Sequence, residues 1–390
     1  MSTIFANRMK ALETETAFEV LAKAKALEKQ GKDIVHLEIG EPDFDTPKNI
    51  KDAATKALNA GYTHYTPSAG IPEVKQVIAE YISKTRKLDV KPEEVVITPG
   101  GKPIMFFSML ALVSSGDEVM YPNPGFPVYE SLIKFVDAKP VPIPLKEESE
   151  FSFDPEYVKK KITKKTKMII LNSPENPTGG VIPREQLKVI ADCLENRDDV
   201  FVLSDEIYSR IIYEGRPESI SQFPGMKDKT IILDGFSKTY AMTGWRLGYG
   251  VMRKDLAGKM AQLMTNSNSC TNVFVQLAGV EALKGPQTEP EKMVAEFKKR
   301  REVIVNGLNE IKGITCTKPH GAFYAFPNIT GTGMNSRKLG DHLLQNAGVA
   351  VLPGISFGEY GEGYLRLSFA NSIENIKKAL DRIEKSLKKR

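Results

Sequence analysis

The chain has 390 residues, 41% of them hydrophobic and 26% charged, a balance ordinary for a soluble globular protein of two to three domains with a large core. The formal charge of +5 comes from 54 basic residues against 49 acidic ones. Much of that excess lies in KKKITKKTK at 159–167 and KSLKKR at 385–390, with no aromatic platform or binding motif nearby, so both read as solvated faces and not as a nucleic-acid patch.

Cys193, Cys270 and Cys316 are scattered and form no CxxC pair, and His36, His64, His320 and His342 stand far apart. Neither a disulfide framework nor a metal site is expected. The opening MSTIFANRMK lacks an apolar signal core, and the most apolar run, IMFFSMLALV at 104–113, is about half the ~20 residues a membrane span needs. A cytoplasmic protein without a membrane segment is expected.

In chain order, an amphipathic helix is expected over 14–31. Thr16 and Glu19 supply a capping-box pattern, Phe18, Leu21, Ala24 and Leu27 an apolar stripe, and Gly31 the stop. DIVHLEIGEPDFDTP then runs extended, with Pro42 and Pro47 fixing its turns. A helix follows over 48–60, and then a loop, 65–70. From residue 95 strands and helices alternate, the mark of an α/β domain with a mostly parallel sheet. VVITPGGK passes from a strand through two glycines into a helix, a junction that suits a phosphate. DEVMYP, MIILN and VFVLSD read as further strands, with a helix at 126–137. Residues at the C-terminal ends of such strands line the ligand crevice. Strand VFVLSD followed by Glu206 also resembles the Walker B pattern. The matching phosphate loop fails, because Val96 replaces its first glycine and Pro103 its Ser or Thr.

TIILD at 230–234 and LGYGVM at 247–252 read as two strands flanking a loop that holds Lys238 and Arg246. Gly244 and Gly248 leave room around the guanidinium. A lysine beside a permanent cation is pushed toward the neutral amine, the form that attacks carbonyls. A long helical stretch over 254–284 and a charged helix over 289–311 follow. GITCT, GAFYAFP and YLRLSFA read as strands, with helices over 336–347 and 372–388. Ile373, Ile376, Leu380, Ile383 and Leu387 share one face of the last helix.

GFSKTYAMTGWRLG at 235–248 resembles the pyridoxal-phosphate attachment signature of the class I, aspartate aminotransferase-like family, in its bacterial and archaeal branch. The resemblance extends from GEPD at 40–43 to YLRLSFA at 364–370. It implies an α/β pyridoxal-phosphate transferase fold. A large domain with a mostly parallel sheet would span 46–288, and a smaller α+β domain would join 1–45 to 289–390. Lys238 takes the place of the lysine that carries the cofactor and moves the proton. Asp205 takes that of the partner of the ring nitrogen, and Tyr208 and Asn176 those of the contacts to the phenolic oxygen. Phe126 matches the aromatic residue stacked on the ring. Gly101, Lys102, Ser237 and Arg246 match the phosphate site, to which Tyr65 reaches from the neighbouring subunit of a homodimer with shared sites. Gly40 lines the substrate pocket, and Arg366 takes the place of the arginine that holds the substrate carboxylate, its planar fork suited to that group.

The resemblance implies an aminotransferase working by ping-pong exchange between an L-amino acid and a 2-oxo acid. Aspartate with 2-oxoglutarate is the favoured pair. Aromatic, alanine, prephenate-type and broad ranges stay open, as do a pyridoxal-phosphate carbon–sulfur lyase and a non-catalytic binder. The second carboxylate of aspartate needs a second cation. One branch of the family takes it from an arginine in the segment matching 261–283, which here contains no Lys or Arg. In the branch this chain resembles, a lysine in the GGK turn serves, and Lys102 stands there. Its other reading is a helix N-terminal residue facing solvent.

Overall fold

The computed structural model describes residues 4–12 and 15–388. Eight strands form the main sheet, in the order Val95–Thr98, Gly248–Val251, Thr230–Gly235, Phe201–Asp205, Thr166–Asn172, Glu118–Asn123, Lys139–Lys146 and Ser152–Phe153. The five strands from Thr230–Gly235 to Lys139–Lys146 are parallel, while Gly248–Val251 and Ser152–Phe153 run antiparallel to their neighbours. Val96, Val119, Met168, Ile170, Leu203 and Ile231 are fully buried, as strands covered on both faces by helices require. This is the mostly parallel α/β architecture expected.

A smaller antiparallel sheet orders Tyr324–Ala325, Leu365–Ser368 and Leu352–Pro353. Near it, Val35–His36 pairs in parallel with Val349–Ala350, joining the two ends of the chain. Helix Ile373–Lys388 buries Ile376, Ala379 and Ile383 in a core shared with helix Thr288–Asn309. Among the described residues no helix is long and apolar enough to cross a membrane.

Four local expectations need correction. The first long helix is Thr16–Glu28. Glu15 stands at its N-cap and Thr16 lies inside, with no side chain capping the end; residue 14 lies outside the described residues. The stretch 254–284 is two helices, Lys254–Ser267 and Val273–Lys284. The Asn-, Ser- and Thr-rich run between them breaks the helix, because such side chains compete for backbone hydrogen bonds. Ser269 there takes φ +64°. GITCT forms no strand, only a bridge from Thr315 to Asn328. Strand Lys139–Lys146 was not expected from its prolines at 140, 142 and 144. At alternate positions they put their missing N–H groups on one side of the strand, and the donors between them pair with Glu118–Asn123.

Candidate active site

The parallel strands end on one edge of the main sheet, and most of the candidate residues lie there. Asn172 and Asp205 are register partners at neighbouring strand ends. The Asn172 side chain ties the two together. Its Nδ2 donates to the Asp205 carbonyl at 3.0 Å, and its Oδ1 accepts from the Asn176 amide at 3.0 Å. A short strand-end tether therefore aims the loop that carries Asn176.

Asp205 is buried, and its hydrogen-bond donors are neutral: the Tyr129 hydroxyl at 2.8 Å and the Ile207 amide at 3.3 Å. Burial pushes its carboxyl up to about 6, against the pull of those donors. A buried carboxylate served by neutral donors is suited to a cationic ligand atom. Three residues on, the Tyr208 hydroxyl lies 2.6 Å from that of Tyr324. Phe126 stands edge-on to Tyr129, with ring centroids 5.7 Å apart.

Lys238 is partly buried after strand Thr230–Gly235. Its Nζ donates to the Gly40 carbonyl at 2.5 Å and lies 6.0 Å from the Phe323 ring centroid. Burial, then the Arg366 guanidinium, brings the amine down to about 8, with Arg246 contributing less. The cation that matters most is therefore Arg366, not the Arg246 that the sequence places closest. Gly40 has to be glycine, since a Cβ there would lie 2.4 Å from the Tyr324 hydroxyl. The lysine loop is held to the N-terminal arm by Trp245 Nε1 donating to Thr46 Oγ1 at 2.9 Å and Thr46 Oγ1 donating to the Ala241 carbonyl at 2.6 Å.

Arg246 reaches the glycine turn before helix Lys102–Leu112. A Cβ on Gly100 would lie 2.1 Å from its guanidinium, and Gly100 has φ +85°, so only glycine leaves that path open. Gly101 is the N-cap of the helix, and Ser237 is buried in the lysine loop. A helix N-terminus with an arginine across it fits a phosphate group.

Arg366 is buried on strand Leu365–Ser368, its guanidinium 4.6 Å from the Tyr324 ring centroid and 5.1 Å from that of Phe357. Nη1 donates to Asn176 Oδ1 at 3.1 Å and Nη2 to the Glu38 carbonyl, while Nε is buried without a partner. A donor left over beside Lys238 fits a substrate carboxylate.

Two expected residues stand apart from this arrangement. Tyr65 is 90% exposed. Lys102 is not directed freely to solvent: its Nζ pairs with Glu15 and lies 5.5 Å from the Phe126 ring centroid. Sequence reasoning missed Tyr324, Tyr129, Asn172 and Glu15. It also missed Arg86, which donates to Glu206 at 2.7 Å, Ser209 at 3.0 Å and Asp234 at 3.3 Å behind the site. Glu175, pushed up to about 8 by burial although Thr178 donates to it twice, went unread as well.

A lysine with a depressed pKa, a buried carboxylate, a tyrosine–asparagine pair and an arginine-braced helix end together match the aldehyde, ring nitrogen, phenolic oxygen and phosphate of pyridoxal phosphate. The fold and site are those of a pyridoxal-phosphate-dependent transferase. Aminotransferase class I and II is the family whose sequence pattern matches, over residues 32–383. The chain is 43% identical to an aspartate aminotransferase of Pyrococcus horikoshii, covering 98% of this chain and 97% of that one. It is 40% identical to a probable aspartate/prephenate aminotransferase of Aquifex aeolicus, covering 98% of each. The solved aspartate aminotransferase from Thermus thermophilus with maleate superposes with a TM-score of 0.94 at 36% identity, covering 98% of this chain and 100% of that one. The chain belongs to the class I and II aminotransferase family and is a pyridoxal-phosphate-dependent aminotransferase.

The depressed Lys238 value sets a pH dependence. Only the neutral amine attacks an aldehyde, so capture of pyridoxal phosphate by the apoprotein should speed up with pH, reach half its maximum near pH 8 and level off above that. Stopped-flow absorbance checks this. A rate that keeps climbing toward pH 10.5, as for a free lysine, would contradict it.

Proposed function

We propose that the enzyme moves an amino group from an L-amino acid, with aspartate favoured, to 2-oxoglutarate in two half-reactions, the first product leaving before the second substrate binds. The observation that carries this reading is the free Nε of buried Arg366 beside Lys238. It holds a substrate α-carboxylate within reach of the amine that handles the neighbouring Cα proton.

When bound, pyridoxal phosphate draws electrons from the bonds at the substrate Cα. The chain does the rest. Arg246, Ser237 and the amides of Gly101 and Lys102 hold the phosphate. Asp205 would accept from the ring nitrogen and favour its protonated state. Asn176 spends its Oδ1 on Arg366, which leaves its amide as a donor to the phenolic oxygen beside the Tyr208 hydroxyl. Phe126 would stack on the ring, and Gly40 would line the substrate side. Lys238 Nζ is the base that would take the Cα proton and hold it for return. With a pKa near 8 it does so closer to neutrality than an ordinary lysine.

The division into 46–288 and the paired ends 1–45 and 289–390 is part of this proposal. The pairing of Val35–His36 with Val349–Ala350 supports it. So is a homodimer in which Tyr65 completes the partner's phosphate site, supported by the 90% exposure of this large apolar residue. A reducing cytoplasm suits Cys193, Cys270 and Cys316, none of which is paired.

For the distal carboxylate of aspartate, Lys102 is the proposed contact. A panel of amino donors against 2-oxoglutarate tests it. Lys102→Ala should lower kcat/KM for aspartate and glutamate by about tenfold, the scale of one charge-assisted contact, and spare alanine and phenylalanine. An equal loss for all donors would place Lys102 in cofactor binding instead. A broader range that includes aromatic donors is the second reading, favoured by the Glu15 carboxylate already seated on Lys102.

A further inference from the structure

Glu15 sits at the N-cap of helix Thr16–Glu28, where a carboxylate would ordinarily serve its own helix end. It does not: no side chain caps that end, and the Glu15 carboxylate instead reaches Lys102. The helix is anchored by Val20, Ala24 and Leu27 in the core, so Glu15 is presented by a fixed element. Before it, the short helix Asn7–Ala11 packs against helix Val128–Phe135, with Ser131 Oγ donating to the Ala11 carbonyl at 3.4 Å. Helix Asn7–Ala11 thus lies on the element that follows Phe126. Lys102 Nζ is held between the Glu15 carboxylate and the face of Phe126. Burial dominates the values of Lys238, Tyr324 and Arg366, and Glu15 is among the charges acting on all three. The geometry that matters here is the pair itself: the Glu15 carboxylate sits on the Lys102 ammonium, next to the Phe126 ring.

We propose that Glu15 is a built-in rival of the substrate's distal carboxylate, occupying Lys102 in the free enzyme so that a dicarboxylic substrate has to displace it and a monocarboxylic one does not. The inference rests on the assignment of Lys102 as the distal-carboxylate contact. A dicarboxylate meets two obstacles, the occupied ammonium and the like charge of Glu15. An alanine or phenylalanine side chain carries no charge and leaves the Glu15–Lys102 pair intact. The pair therefore narrows the gap between acidic and neutral substrates, a specificity device that works through repulsion as well as attraction. Lys102 is 51% exposed and Glu15 21%, and a pair this exposed shifts an equilibrium by up to about fivefold.

The test uses the cofactor-loaded enzyme and two unreactive ligands, succinate and 3-phenylpropionate, with affinities read by calorimetry. Glu15→Gln should bind succinate about fivefold tighter than wild type and leave 3-phenylpropionate within twofold. In a Lys102→Ala background, the gain from Glu15→Gln should shrink below twofold, as a double-mutant cycle demands of a coupled pair. Glu15→Asp, which keeps the charge on a shorter stem, should stay closer to wild type than Glu15→Gln does. Unchanged succinate affinity in Glu15→Gln, an equal change for both ligands, or a full gain that persists without Lys102 would each overturn the proposal. Turnover with the donor panel separates the two readings. A wild type that does not favour aspartate defeats the donor assignment, while the ratio of succinate affinities still decides the role of Glu15.

Discussion

Lys238→Ala is expected to lower transamination by about 10⁴-fold while the protein stays folded and still takes up cofactor. In the proposed mechanism the residue has two tasks, attachment and proton transfer, and a positioned acid–base group alone contributes up to about 10⁴-fold. Asp205, Arg246 and the glycine turn before helix Lys102–Leu112 remain to hold the cofactor without a covalent bond, so uptake should persist at lower affinity. Half-reaction kinetics followed by absorbance give the rate, and circular dichroism the fold. The same variant tests the shared site. Mixed with an inactive Tyr65 variant, it should form hybrid dimers in which one of the two sites has both native residues. Recovered activity supports the dimer, and mixtures no more active than their parents would contradict it.

Arg86→Met should destabilise the protein by about 3–5 kcal/mol, the range for removing one partner of a buried ion pair. Arg86 is 3% exposed and contacts two buried carboxylates, Glu206 at 2.7 Å and Asp234 at 3.3 Å. Burial pushes Asp234 up to about 7 even though Arg86 pulls the other way. A carboxyl whose folded pKa lies above its unfolded value costs stability as pH rises past the unfolded value. Removing the guanidinium enlarges that cost, so the deficit of the variant should stay level up to about pH 7, the wild-type folded value, and widen as pH rises above it. Urea unfolding at several pH values measures it. A deficit that does not vary with pH would place the role of Arg86 in packing and not in charge.

Arg86 also shows where sequence reading stops. It lies on helix Pro72–Arg86, far along the chain from Glu206 and Asp234, and only the folded sheet brings the three together. Tyr324 is similar: it lies in the expected strand GAFYAFP, but nothing local says that its hydroxyl meets that of Tyr208. Glu15 looks like the start of a helix and is in fact bonded to another element. By contrast, Lys238, Asp205 and Asn176 sit at or just beyond strand ends, where a short apolar run followed by a polar residue already states the geometry. Gly100 and Gly101 were legible for the same reason, as a strand-to-helix turn. The main sheet was legible from its apolar strands except Lys139–Lys146, whose three prolines hide it, and the two-residue edge strand Ser152–Phe153, too short to show a pattern. The break between Lys254–Ser267 and Val273–Lys284 was missed because apolar spacing continues on both sides of the polar run that interrupts it.

Everything proposed for this site requires Lys238 to be the residue that holds the cofactor. Borohydride reduction of the cofactor-loaded enzyme, followed by digestion and peptide mass mapping, tests it directly. A phosphopyridoxyl mass is expected on the peptide containing Lys238 and on no other lysine at stoichiometric yield. A label on a different lysine, or an undiminished label in Lys238→Ala, would contradict it.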